Sequence, residues 1–437
     1  VHALNSRLIC LSLLAAGLAS PVAWSQITTE AAESPSASTS SQAETAANIT
    51  PTTQEGVLSA EEPRGNARLG SATVRVVAGL RTQYNDNIAY SEFNRRSDFI
   101  ISPNVEFNLL WPITETNTLT FDIGASYDKY LDNSDADSNS VILSPDSALV
   151  FRLEVGKHVT IDFFDRFSYQ QTPLDSPTIG NTLDFGRFEN DLGYLATWRV
   201  NKVVELDHGY SWTKIIHSSD EFSYLDRDTH NLTHTLRLHV NPAVQTGILS
   251  IISFTDYEQD FQNDNAILQI GPFVRAKISE NTEVAGQVTY VMGLFDDPTG
   301  TPGDSNFDND DVNNVNARGS ITNRLNQFIS QRFTTGYETR LGTDSNYYDL
   351  AFADYSLEWQ LLSHLSLSTR AFYEYGTESG SLFSESFHRF GGGCGLNYRL
   401  TKSIVTGLRY DYIEKDSDRS GNDYYQNRVT LDFQYRF

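Results

Sequence analysis

Ionisable side chains recur in this chain at even spacings. Arg409 and Asp411 stand two apart, as do Glu205 and Asp207, while Asp162 and Arg166, Arg370 and Glu374, and the series Arg428, Asp432 and Arg436 run in steps of four. Asp122 with Asp128, and Arg332 with Glu338 and Arg340, keep the same parity. On a β-strand, even separation puts side chains on one face. Guanidinium and carboxylate groups facing one another across a water-filled bore produce a transverse field. Such a field suits polar neutral solutes such as sugars as well as ions, and with both signs present it forces neither anion nor cation selectivity. The same residues could instead pair with each other as a hydrogen-bonded lining without a selective role. Their types leave both readings open.

Other chemistry finds little support. There is no G-x-S-x-G, no H-E-x-x-H, no Walker glycine loop and no C-x-x-C. An enzyme is not expected, although a hydrolase built from Ser, His and an acid on neighbouring strands would leave no linear motif. His230 and His234 are four apart, which on a strand is ~13 Å at ~3.3 Å per residue, too far for one metal ion. The acidic stretch DDPTGTPGDSNFDNDD offers oxygen ligands but lacks the glycine and final glutamate of an EF-hand. A solvated loop, or divalent bridging to lipopolysaccharide, is the expectation there, with no resident metal and no cofactor. It could also fold inward and narrow a pore. The net charge of −24 argues against a nucleic-acid partner.

The elements that would carry these charges read as strands. In TLTFDIGASYDKY, Leu119, Phe121, Ile123, Ala125 and Tyr127 alternate with Thr120, Asp122, Gly124 and Ser126. LSLSTRAFYEY and SIVTGLRYDY repeat the pattern, and period two means strand. Links of two kinds take turns. Short ones, such as VGKHV, SENTE and LSHLS, alternate with long ones rich in Asp, Asn, Ser and Gly. Each repeat of about forty residues is thus a hairpin, two long strands with one tight and one loose end. Eight short turns and two free ends imply about eighteen strands.

An open sheet of that size would expose two edges, and closure removes them. The fold class expected is therefore all-β: a closed antiparallel transmembrane β-barrel with an apolar outside, a polar inside, short periplasmic turns and long extracellular loops. Aromatics fit two interfacial belts, with Tyr373, Tyr375, Tyr410 and Tyr412 at loop ends and Trp111, Trp198 and Trp359 near turns. A large soluble β-sandwich or solenoid is the alternative, but it needs neither a leader nor two alternating link lengths. Residues 1–25 carry an apolar run ending in Ala23-Trp24-Ser25, the pattern of a secretory signal peptide. Residues 26–70 are rich in Ser, Thr, Ala, Glu and Pro without aromatics, as in a disordered periplasmic linker. The barrel is expected over 71–437. Cys10 falls in the leader, leaving Cys394 in GGGCGL as a small filler and no internal disulfide. The closing VTLDFQYRF, with Tyr435 and Phe437, looks like the strand that outer-membrane barrels present to their assembly machinery.

A second resemblance lies in VRVVAGLRTQYNDNIAY followed by SDFIISPNVEFNL. Tyr84, Asp86, Asn87 and Ile88, then Ser97, Asp98 and Pro103, resemble the first hairpin of the second uncharacterised type of β-barrel porin. The resemblance covers residues about 72 to 437. It implies an outer-membrane barrel of a family often associated with exopolysaccharide gene clusters. From their chemistry alone, Asn85, Asp86 and Asn87 are good loop openers. The function expected is an outer-membrane channel for passive diffusion of small polar solutes, saccharides or exopolysaccharide-linked among them. The alternative is a plugged or structural barrel in a surface or export complex. Partners expected are outer-membrane lipid and lipopolysaccharide, the barrel assembly machinery and small polar solutes; a homo-oligomer is left open.

Overall fold

The computed structural model describes residues 67–173, 176–296, 307–380 and 384–437, so the leader and nearly all of the linker lie outside the described residues. Eighteen long strands follow one another around a closed antiparallel ring. They are β1 Ala72–Asn85, β2 Asp98–Pro112, β3 Thr118–Ser126, β4 Ala148–Val155, β5 Val159–Gln170 and β6 Arg187–Arg199. Then come β7 Val204–His217, β8 Arg227–Asn241, β9 Val244–Tyr257, β10 Asn265–Ser279, β11 Thr282–Phe295 and β12 Val312–Asn326. The ring is completed by β13 Ile329–Leu341, β14 Tyr347–Leu362, β15 Leu365–Glu378, β16 Ser386–Arg399, β17 Ile404–Ser417 and β18 Tyr424–Arg436. Each pairs with its neighbour in sequence, and β18 pairs back on β1 from Val77↔Arg436 to Asn85↔Arg428. Short segments at Lys129–Tyr130 and Ile142–Leu143 extend the wall beside β3 and β4.

Register makes the two faces. Leu80, Val105, Phe163, Leu192, Ile321, Phe333, Leu408 and Leu431 are exposed on the outer wall, and their strand neighbours turn inward. A closed cylinder with an apolar outside is how strands cross the bacterial outer membrane, since every backbone amide must be bonded within the wall. Pro272 interrupts the β10–β11 ladder, where the register passes from Ile270↔Tyr290 to Phe273↔Gln287, because proline has no N–H to give. β16, whose GGGCG run alternates poorly as sequence, is shaped by its neighbours. A Cβ at Gly391 would meet the Tyr412 carbonyl at 2.5 Å and the Phe372 ring at 2.8 Å. Cys394 on the same strand faces out and is exposed.

The inside departs from the uniformly polar lining expected. Four apolar clusters sit toward the loop end: Tyr90 with Phe372, Ile413 and Tyr424; Ile179 with Phe185, Phe222 and Leu225; Ile88 with Ile100 and Ala136; and Tyr348 with Leu350 and Phe387. Loops that fold over a bore need apolar anchors to offset the entropy of ordering them.

The seam between first and last strands is clasped by Asp86 and Asn87. Asp86 accepts from the Asn427 backbone N–H and side-chain amide, both at 2.7 Å. Asn87 is fully buried; its side-chain amide donates to the Ser91 and Tyr425 carbonyls, each at 2.9 Å, and its own carbonyl accepts from Gln426 at 2.7 Å. At the other end, the Phe437 N–H reaches the Val76 carbonyl at 3.3 Å. Ala67–Leu69 then pairs with Ala72–Val74, so ordered pairing starts slightly before the composition change near residue 70. Asn87→Ala strands several of these groups. At ~1–3 kcal/mol per stranded buried group it should cost about 2–4 kcal/mol, read as a lower urea midpoint of the folded band in semi-native gels.

Candidate functional site

The even-spaced charges stand on inward-facing positions, and most meet a counter-charge there. Asp162 bonds Arg152 (2.8 Å), Arg166 bonds Asp191 (3.3 Å), and Arg370 bonds Asp354 (2.6 Å). Arg237, which the parity rule had not singled out, lies between Glu205 (2.6 Å) and Asp207 (2.5 Å). Glu374 pairs with Arg389 at 2.7 Å, both almost fully buried, and Arg340 pairs with Glu338. Arg409 reaches Asp411 at 2.9 Å, and Asp432 reaches Arg81 at 3.1 Å. Asp122 accepts from Asn108 at 2.7 Å, and Ser102 donates to Asp128 at 2.5 Å. Arg332 stands opposite Ser356, Arg428 opposite Asp411, and Arg436 opposite Val77. A bore lined this way is polar but largely self-neutralised.

The family-like motif divides its work. Tyr84 packs its ring on Phe99 at 5.0 Å on the outer wall, Asp86 and Asn87 form the clasp, and Ile88 joins an apolar cluster inside. Asp98 opens β2 buried, its carboxylate accepting from the backbone N–H groups of Leu131 and Asn133 at 2.9 and 2.7 Å. The Tyr435 and Phe437 rings meet edge-on at 4.9 Å.

One feature of the bore has no counterpart in the charge pattern. The loop between β5 and β6 leaves the wall and crosses the mouth. The Asn181 N–H donates to the Tyr90 carbonyl in the β1–β2 loop at 3.1 Å, and the Asn181 side chain bonds the Gly421 carbonyl in the β17–β18 loop. Thr178 accepts from Thr343 at 2.8 Å in the β13–β14 loop, which lies about half-way around the ring from β5. Ile179 and Phe185 pack on Phe222 and Leu225 from the short helix Asp220–Leu225, and Leu183 packs beside Ile88 and Ile100. Tyr224 of that helix donates to Asp344 at 3.3 Å. Burial and that carboxylate push its phenol well above the ordinary value, so it stays a donor. Arg96 holds both oxygens of Asp135 (2.8 and 2.6 Å), which keeps this carboxyl below its usual range.

The crossing loop divides the inner space. On one side a cavity of about 640 Å³ is lined by inward residues of β1, β2, β3, β17 and β18 with Gln170, Gln171, Thr172, Pro173, Thr182 and Leu183. On the other a cavity of about 180 Å³ is lined by inward residues of β6 to β13 with Ser176, Thr178 and Phe185. The sequence signal for the loop was faint: Pro173, Pro177, Ile179 and Phe185 are apolar residues in a link that otherwise reads as solvated. Of the acidic link after β11, residues 297–306 lie outside the described residues. Asp308 is buried and accepts from the Asn346 N–H at 2.9 Å, docking this loop onto its neighbours. Among the described residues no group of three His, Cys, Asp or Glu is arranged to hold a metal ion.

No family model matches the chain, and no curated protein matches it. The likeness at Tyr84 to Ile88 therefore remains a resemblance. Among solved structures, the chain is similar to OccK1 (OpdK) of Pseudomonas aeruginosa, with 9% identity over 83% of this chain and 99% of that one and a TM-score of 0.46. It is also similar to OccAB2 of Acinetobacter baumannii, with 12% identity over 83% and 98% and a TM-score of 0.46. OccK5 (OpdH) of Pseudomonas aeruginosa gives 11% identity over 83% and 98% and a TM-score of 0.44.

The buried and exposed ion pairs should behave differently when one partner is neutralised. Glu374→Gln leaves Arg389 desolvated and should cost about 3–5 kcal/mol. Asp162→Asn, in a pair open to the bore, should cost less than about 1 kcal/mol. Urea titration of the folded band checks both.

Proposed function

We propose that this protein is a passive outer-membrane channel for small polar solutes, with the short turns in the periplasm and the long loops outside. The carrying observation is the larger cavity, which is open space bounded by wall and crossing loop rather than packed side chains. Its wall presents Arg75, Arg81, Arg409 and Arg428, with Asp411 and Asp432 bonded among them, on β1, β17 and β18, so this arc keeps a positive excess, and it presents Glu106, Asp122, Asp128 and Asp146 around β2 to β4. Neighbouring arcs of opposite sign orient dipolar solutes without selecting strongly for either ion. Uncharged sugars and other hydroxyl-rich molecules fit that lining. A loop tied to both walls favours small solutes over a polymer strand, which weighs against an exopolysaccharide conduit. Lipopolysaccharide at the loop end and the assembly machinery at β18 are the partners consistent with this placement.

Purified protein in a planar bilayer should show stepwise openings, reduced by added sugar that enters the bore. Deleting residues 174–182 should merge the two cavities and raise unit conductance about twofold or more, as expected for an eighteen-strand bore cleared of its loop. A barrel silent in both forms would mean a plugged, structural role instead. Glu106→Gln should move the reversal potential toward anion selectivity, leaving the folded fraction unchanged.

A further inference from the structure

The outer wall of β5 to β9 breaks the apolar rule at mid-height. His234 is the central outward residue of β8, with Asp228, His230 and Leu232 above it and Leu236, Leu238 and Val240 below. Across the strands, the Tyr194 hydroxyl meets His208 Nε2 at 3.0 Å, and His208 Nδ1 meets His234 Nδ1 at 3.3 Å with the two rings stacked 4.8 Å apart. Ser250 of β9 is in register with His234. Beside them, Asn190 donates to Asp165 at 2.5 Å, and Asp165 shares the outward face of Phe163. The loop-side interface lies higher on the wall, where Trp212 and Lys214 bond Asp228 at 2.8 and 2.7 Å. The turn-side one lies lower, at exposed Trp198. The imidazoles thus sit near the middle of an apolar band ~25 Å tall, about half that height from either set of headgroups. Polar groups facing hydrocarbon there are costly unless another polar surface meets them. Corresponding positions on the far wall are Leu408 and Leu431.

We propose that this stripe is the contact between two copies of this chain in the membrane, around a two-fold axis near His234. Within the described residues, one side of the His234 imidazole and the Ser250 hydroxyl keep hydrogen-bonding capacity that no neighbour takes up. Imidazole, phenol and hydroxyl groups both donate and accept, so the face is complementary to its own image. It is also one patch, and one self-complementary patch closes a two-fold pair, whereas a larger ring needs two different ones. The proposal rests on the membrane placement proposed above.

The test is disulfide crosslinking of the full chain in intact outer membranes, with Cys394 first changed to Ser. His234→Cys and Ser250→Cys should each give an oxidised band at twice the chain mass, and Leu431→Cys on the far wall should not. Each variant is also run unheated, so that a compact band reports a folded, inserted barrel. Folded, inserted barrels with no double-mass band at 234 or 250, or with a product of another mass, overturn the proposal and leave the channel reading intact. His208→Leu with His234→Leu makes the wall more apolar. It should keep the barrel folded and lower the dimer fraction in mild detergent about tenfold, and an unchanged dimer fraction would also overturn the two-fold contact.

Discussion

Lipid cannot hydrogen-bond to a peptide group, and that constraint organises this molecule. A strand in hydrocarbon must find a partner on both edges, so the last strand must return to the first. The chain meets the requirement with a register that runs from Val77↔Arg436 to Asn85↔Arg428. Backbone pairing alone leaves such a seam free to slip, because ladder bonds repeat along the strands. Asp86 and Asn87 remove that freedom by bonding Asn427, Tyr425 and Gln426 at the loop end. A motif that reads as a loop opener therefore acts as the clasp of the ring.

Once the ring is closed, its inside is decided by how charges and loops share the space. Ion pairs such as Arg389 with Glu374 are nearly inaccessible, while Arg152 with Asp162 stays wet. The difference follows from the loops. Where they fold over the mouth, they bring apolar side chains and displace water: Tyr90 packs with Phe372 and Tyr424 beside Arg389. Nearer the turns the bore stays polar. The crossing loop thus sets both the free cross-section and the local dielectric felt by the charges around it.

Strand number was legible in the sequence, because a period of two is a local property, and the same period says which charges share a face. Arg409 and Asp411 stand two apart and are bonded on one face. The glycine run before Cys394 was not legible, since its cause lies on adjacent strands in Phe372 and Tyr412. The crossing loop was equally hidden. Thr178 to Thr343 and Asn181 to Gly421 are contacts between links far apart in the chain, and nothing in a single link announces its partner. The histidines show the same limit. Spacing along β8 correctly separates His230 from His234, yet the meeting of His234 with His208 depends on how β7 and β8 are registered.

The central claim is that side chains alternate between hydrocarbon and water around a closed wall. Its most direct test is a nitroxide scan from Val429 to Tyr435 on β18 in lipid bilayers, with Cys394 replaced. The account predicts that collisions with oxygen peak at 429, 431, 433 and 435, and that collisions with a water-soluble nickel complex peak at 430, 432 and 434. Equal aqueous access at every position, or a period other than two, would contradict it.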